Sequence, residues 1–538
     1  MKNRFIKIKI KFSESTKPIV DIETNGLFIM KSKVYTFISN DKDVNDVVLK
    51  DDMDECVFLK KNNGVLIKYN QISLEIINDL FCTIPLYYAK ELDGLIVTSN
   101  PDLIPSVFKK EIDNAGLWEI ILFGTCLWRR TLYEDVSQFP SACRLNITKE
   151  NIKLKRYWDF NVYENTELLD ENKYIKRLDS ALLDIFNKIP EGKYLMGVSG
   201  GMDSRLSAAY LNKVGKAHMV DTFTYCSTKY SMEYKIAKKV CQNYNLNDNK
   251  LYVLTEESYR NTIDFLPKFT CGQIGIQHSH ICSILDEYED NELTQICNYY
   301  SDALFGYECS GENNKQSNSL LNILNLNCDL DKIVRKNIED DIKNIFLLYD
   351  PKSNYSSYDE YRYVTERNQK FHINLSFQQS QFLDINLPYA NYNLLQLMIS
   401  IPLKFRKRKK IIDLLFDSGL IEKYNLDDIS SKHFIQGNVF ANEKIMGLLK
   451  KIDFKLQNLL SAMTARLTKG RIIFPNKYHT ESHVNVLHFF KKDLISACDK
   501  LYDLNVFDEK QREIFKIIPL RSTGVSERFQ IISLASLL

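Results

Sequence analysis

Little in this chain is present in excess. Lys and Arg total 71 against 69 Asp and Glu, a formal net charge of +2 over 538 residues. No bulk attraction to nucleic acid or to an anionic membrane follows from that balance. None of the twelve cysteines forms a CxxC pair, which excludes a zinc ribbon or a thioredoxin-type dithiol. The expectation is reduced thiols in a cytoplasmic protein, many of them buried as small apolar groups. Long apolar runs are missing too: the run at 394–403 is too short to span a bilayer. The opening MKNRFIKIKIKF alternates apolar residues with lysines, the period of a strand and not of a signal-peptide core.

What is present falls into two styles. Up to about residue 160, short β-branched and aromatic segments lie between polar turns, at 5–12, 34–38, 64–69, 71–76, 85–89 and 94–98. A helical patch at 113–122 and strand candidates at 142–147 and 153–158 follow. The pattern predicts an α+β domain of packed antiparallel sheets. Then helical spacing at 171–187, 203–212 and 232–243 alternates with strand candidates at 193–198, 219–225 and 250–254. That alternation predicts a parallel sheet with crossover helices. Beyond about 310 the pattern is mostly helical, no internal repeat is found, and the polar stretch 310–319 reads as an exposed loop.

The chemistry concentrates in LMGVSGGMDSRLSAAYL, residues 195–211. A glycine pair ends a buried strand just before a helix, where α/β sheets bind ligands. Gly200 and Gly201 let backbone N–H groups approach a phosphate, and the helix N-terminus adds donors and partial positive charge. Ser199 and Ser204 supply hydroxyls. Asp203 would repel a bare phosphate, so it suits Mg²⁺ held against pyrophosphate, with a plain helix cap as the alternative. The string is neither GxxxxGK[ST] nor GxGxxG, so neither a P-loop kinase nor a dinucleotide fold is indicated.

The SGGxDS string resembles the pyrophosphatase loop of the asparagine synthetase family, in which ATP is cleaved to AMP and pyrophosphate. QICNYYSDALFGY, residues 295–307, resembles that family's GxGxDxLFGGY segment, with Asn298 and Tyr300 standing where glycines are usual. The resemblance implies ATP binding by Val198, Ser199, Gly200, Gly201, Asp203 and Ser204, and Mg²⁺ shared by Asp203 and Asp302. NDLFCTIPLYYAKELDGLIVTSN, residues 78–100, is similar to the family's glutaminase domain, with Cys82 in place of a glycine, and Arg156-Tyr157-Trp158 resembles its exit. The implied architecture is an Ntn-hydrolase-like sandwich over 1–160. A PP-loop ATP pyrophosphatase domain of parallel-sheet α/β class, with a helical C-terminal extension, follows over 161–538.

One departure bears on activity. Glutamine-dependent members carry a cysteine nucleophile directly after the initiator methionine, whereas this chain has Lys2 and no cysteine before Cys56. The expectation is a glutaminase-like domain that folds without hydrolysing glutamine. On the acceptor side, Tyr299 stands where asparagine synthetases carry a glutamate, which resembles the β-lactam synthetase branch. There a tyrosine paired with a carboxylate helps deprotonate an amine, and Asp384 in DINLPYANYN is the candidate partner. Lys432 is placed as the lysine that stabilises charge at acyl transfer. The plain alternatives are a core aromatic for Tyr299, a helix cap for Asp384 and a surface lysine for Lys432. The basic run at 404–410 reads as a solvated helix start, and His278 and His280 as packing or loop residues.

Together these imply an ATP- and Mg²⁺-dependent carbon–nitrogen ligase. It adenylates a small-molecule or peptide carboxylate and passes it to an amine, without nucleic acid or membrane. A partner protein or a homodimer remains open. The alternatives are asparagine synthesis from aspartate and ammonia, and a non-catalytic binding protein that keeps the fold.

Overall fold

In the computed structural model the described residues are 2–12, 18–40, 48–70, 72–163, 170–288, 292–306, 318–326, 330–422, 489–504 and 525–537, together with 455–456, 459–460, 463–464, 509, 512 and 515. The strands of the first part are β1 (Phe5–Phe12), β2 (Pro18–Asn25), β3 (Phe28–Lys31), β4 (Tyr35–Ser39), β5 (Val65–Tyr69), β6 (Leu74–Asn78), β7 (Tyr87–Glu91), β8 (Gly94–Thr98), β9 (Val136–Gln138), β10 (Cys143–Ile147) and β11 (Ile152–Arg156). They form two antiparallel sheets, in the orders β2-β1-β8-β7-β9 and β11-β10-β6-β5-β4-β3.

The alternation in β1 explains how the sheets meet. Ile6, Ile8 and Ile10 are fully buried and share a core with Ile67, Leu74, Ile76 and Leu145 of the other sheet, while Lys9 and Lys11 are exposed. Burying each such aliphatic side chain contributes on the order of 1.5–3 kcal/mol. A one-residue slip of β1 would send all three isoleucines outward, so the register is firmly specified.

The second part carries β12 (Lys193–Gly197), β13 (Val220–Cys226), β14 (Asn249–Val253), β15 (Leu293–Ile296) and β16 (Asp384–Asn386), paired in parallel in the order β14-β13-β12-β15-β16. The chain runs from β12 outward to β13 and β14, then crosses back to place β15 on the other side of β12. The direction of winding therefore reverses between β12 and β15, and the crevice beyond their C-terminal ends is where such sheets take ligands. The helices Glu171–Asn187, Met202–Lys213 and Met232–Asn243 stand between the strands in sequence, as their apolar spacing predicts. One core of buried residues runs from Leu80 through the parallel sheet to Ala535. The last helix, Val525–Leu537, packs on Asn114–Phe123, with Gln530 Nε2 donating to Gly124 O at 3.1 Å.

Among the described residues no helix is long and apolar enough to cross a membrane. The loop read at 310–319 lies almost entirely outside them, and Ser319 itself begins a helix, Ser319–Leu326.

Candidate functional site

The loop after β12 and the loop after β15 face each other across the point of reversal. Between them lies a cavity of about 350 Å³, lined by Gly197, Val198, Ser199, Asp203, Ser204, Thr224, Tyr225, Glu233, Ile281, the run Cys297 to Asp302, and His372, among others. Of the residues assigned to ATP from the sequence, Val198, Ser199, Asp203 and Ser204 line it, and Gly200 and Gly201 shape the loop without lining it. A Cβ on Gly200 would stand 3.3 Å from Ile236 Cγ2, so the glycine is what lets the loop lie against the helix Met232–Asn243.

The loop is internally braced. Ser204 Oγ donates to Ser199 O at 3.0 Å and accepts from Ser199 N at 3.2 Å, and Ser199 Oγ accepts from Gly201 N at 3.1 Å. Gly201 caps the helix Met202–Lys213 without a side-chain acceptor, which leaves first-turn N–H groups open to an anion. The Gly200 N–H is engaged by a carboxylate: it donates to Glu233 Oε1 at 2.7 Å.

Asp203 and Asp302, in the first turns of two different helices, Met202–Lys213 and Ser301–Leu304, converge on one cation. Lys409 Nζ donates to Asp203 at 2.9 and 2.7 Å and also to Asp302 Oδ1. Burial, with the nearby Asp302 charge, pushes Asp203 up to about 6 against the pull of Lys409. Asp302 is held below the usual carboxylate range: burial opposes this, and the Lys409 ammonium overcomes it. Lys409 is raised by the two acids although burial works against its charge. Two hard oxygen donors meeting on one positive centre fit a cation such as Mg²⁺, which takes one or two carboxylates and completes its shell with water and phosphate. Among the described residues no cluster of three or more His, Cys, Asp or Glu side chains is grouped to hold a metal.

The reading of the basic run 404–410 is thereby corrected in part. Lys404, Lys407, Arg408 and Lys410 are exposed, and Lys410 begins a helix, but two basic residues of the run turn inward. Arg406 is fully buried, Lys409 reaches the acidic pair, and Arg408 and Lys409 adopt left-handed backbone (φ 51° and 60°) before the helix Lys410–Asp417. Non-glycine residues held in that region mark local strain. The run has no apolar periodicity, so charge composition alone concealed two inward-facing side chains.

Tyr299 lines the cavity, where its hydroxyl accepts from Gln379 Nε2 at 2.6 Å. Burial pushes the phenol well above its ordinary value, so in this state it is a hydrogen-bond donor and not a base. Asp384 is not its partner. Asp384 begins β16, level with Thr294, at the end of the sheet opposite the cavity. There it accepts from Lys2 Nζ at 3.0 Å and from Arg4 Nη2. The clamp continues along the backbone: Lys2 N donates to Gln381 O at 2.5 Å, and Gln381 Oε1 accepts from Arg4 N at 2.6 Å. The start of the first strand is thus tied to the far end of the parallel sheet.

Despite burial, Arg4 and Lys2 hold the Asp384 carboxyl below its ordinary value. A depressed acid contributes stability above its unfolded pKa of about 3.9, and that contribution is lost as pH falls through the folded value. Asp384→Asn is therefore expected to lower the Tm near pH 7 and to reduce the further loss of Tm on acidification below about pH 4. Scanning Tm against pH for both proteins checks it; parallel curves would deny the clamp.

Lys432 lies outside the described residues. His278 and His280 pack against aromatic rings, His278 on Phe371 at 5.0 Å and His280 on Tyr225 at 4.6 Å between centroids. Sequence reading passed over three residues of the cavity region: Lys409, Glu233 and His372.

Residues 65–158 match the family described as glutamine amidotransferase domain. No curated protein matches the chain. A solved structure, glutamine phosphoribosylpyrophosphate amidotransferase from B. subtilis complexed with ADP and GMP, aligns at 8% identity over 54% of this chain and 88% of its own, with a TM-score of 0.16. At that score the alignment carries no argument. Residues 65–158 match a glutamine amidotransferase domain, and in the chain two antiparallel sheets are followed by a five-stranded parallel sheet.

Proposed function

We propose that this chain is an ATP-dependent ligase that adenylates a carboxylate, releases pyrophosphate and passes the acyl group to an amine without hydrolysing glutamine. The observation that carries the reading is the convergence of Asp203 and Asp302 on one cation beside the Ser199–Ser204 loop, at the reversal point of the sheet. On this reading the open N–H groups of the helix Met202–Lys213 and the hydroxyls of Ser199 and Ser204 bind phosphate oxygens. Asp203 and Asp302 would hold Mg²⁺, which supplies charge neutralisation on the phosphates. Lys409, turned from the acids, would meet the same phosphates as a point charge. Tyr299 would donate to the acyl oxygen as negative charge develops there.

On this reading the first part of the chain serves as structure, and Lys2 contributes to it: its ammonium is bound by Asp384 and its backbone N–H by Gln381 O.

The experiment is pyrophosphate release screened against a panel of carboxylates, with ATP binding followed by calorimetry. ATP is expected to bind with Mg²⁺ and to lose most of its affinity when EDTA removes the metal. Equal ATP binding with and without Mg²⁺ would contradict the assignment of the acidic pair. Asparagine formed from aspartate would transfer the reading to the narrower alternative.

A further inference from the structure

His372 lines the cavity, but no part of the sequence pattern marked it. It stands near the end of an unusual element. Residues Tyr363–Ile373 form a π-helix of 11 residues, continuous with flanking α-helices on both sides. Such geometry is rare, appears mostly as single-turn bulges, and is concentrated at functional sites.

The imidazole is fixed on two sides. Its ring lies parallel to that of Tyr299, with centroids 5.7 Å apart and planes 14° apart. Its Nδ1 is 2.5 Å from Asn368 Oδ1, one α-helical turn back along the sequence. An amide oxygen can only accept, so the proton of a neutral ring belongs on Nδ1, and Nε2 is left with its lone pair. Burial and the positive charge of Arg367 keep the ring neutral, moving it down to about 3, although Asp302 opposes them.

The stacked pair therefore brings a donor and an acceptor together in two side chains that line one cavity. The Tyr299 hydroxyl already accepts from Gln379, so its own proton is free to donate. The His372 Nε2 can accept. A donor beside an acceptor suits two groups that meet in amide formation: an acyl oxygen that accepts and an amine N–H that donates.

We propose that His372 is the amine-binding residue of this site, its Nε2 accepting a hydrogen bond from the N–H of the incoming amine and so holding the nitrogen beside the acyl group. The proposal rests on the ligase reading above. It assigns recognition and no proton transfer: the imidazole orients the amine, and Asn368 is the positioning residue that sets its tautomer.

The test uses the full chain, labelled with ¹⁵N in its histidine rings, with Mg²⁺ and an ATP analogue that carries a methylene between the α and β phosphorus atoms. Calorimetry confirms in parallel that the analogue binds. One ring is expected to show a protonated Nδ1 and an unprotonated Nε2, and to vanish in His372→Phe, which keeps an aromatic face on Tyr299. Methylammonium chloride added at neutral pH is expected to shift that Nε2 signal upfield. Tetramethylammonium, which has no N–H, is expected to leave it in place.

An Nε2–H tautomer, or an Nε2 signal unmoved by methylammonium while the analogue is bound, would overturn the proposal. Should His372→Phe fail to fold, Asn368→Leu provides the assignment, because it is expected to release the ring into a mixture of tautomers. Failure of the analogue to bind is read separately by calorimetry; it would remove the ligase reading and this proposal with it.

Discussion

Asp203→Asn, in a chain otherwise unchanged, is expected to lower carboxylate-dependent pyrophosphate release by about 10²–10³-fold, the loss that follows removal of one preorganised charge contact. Asp302→Asn is expected to do the same. Both carboxylates face one cation, so removing either leaves a site with a single anionic oxygen donor for Mg²⁺. Their effects are not expected to add, since the two act as one unit. Asparagine keeps the shape of the side chain and removes a buried charge that the protein holds at some cost, so folding should survive. Circular dichroism and Tm would establish this, and pyrophosphate measurement would give the loss. If both variants kept full activity, the acidic pair would be a structural ion pair with Lys409 and nothing more.

Arg406→Met is expected to destabilise the fold by about 3–5 kcal/mol, the cost of breaking a buried ion pair from one side. Arg406 is fully buried. Its Nη1 donates to Glu360, its Nε to Ile401 O at 2.9 Å and its Nη2 to Asn354 O at 2.7 Å. Glu360 is also buried, and its second oxygen accepts from Ser356 N at 2.6 Å. Methionine fills much of the space but takes the guanidinium away from the buried Glu360 carboxylate and from two carbonyls. Chemical denaturation of both proteins would measure the loss. A simultaneous Glu360→Gln should recover part of it, because the buried charge that the guanidinium balanced is removed as well. A variant as stable as the parent would show that the pair is solvated in solution.

Much of this architecture was readable from apolar periodicity. The alternation of β1 and the helices Glu171–Asn187 and Met232–Asn243 appear where the spacing put them. The strands that escaped notice are β2, β3, β9, β15 and β16. Of these, β3, β9, β15 and β16 span four residues or fewer, and β2 begins with proline. Runs that short hold at most two periods of alternation, and their pairing is dictated by neighbours distant in sequence.

The site divides along the same line. The SGGMDS loop is contiguous and therefore visible in sequence, whereas Lys409, Glu233 and His372 come to it from separate elements. The substituted glycines give a finer lesson. Cys82 and Tyr300 each replace a glycine of the resembled motifs, and each adopts left-handed backbone, at φ 56° and 80°. The turn outlasted the residue type that favours it. Tyr300 is held there by its hydroxyl on Val364 O at 2.9 Å and by an edge-on contact with Phe81 at 4.9 Å. The pairing of Tyr299 with Asp384 could not have been tested in one dimension. Eighty-five positions separate them, and which end of a strand each residue occupies depends on register.

The resting cleft reproduces within itself the charge pattern of the complex proposed for it. The Glu233 carboxylate sits on the Gly200 amide where a phosphate oxygen could bond, and the Lys409 ammonium sits between the acids where a divalent ion could sit. A nucleotide arriving there swaps one set of contacts for another of similar kind. Its net affinity is then a difference between two comparable quantities, and small shifts in either of those two side chains would be enough to tune how readily the cleft fills.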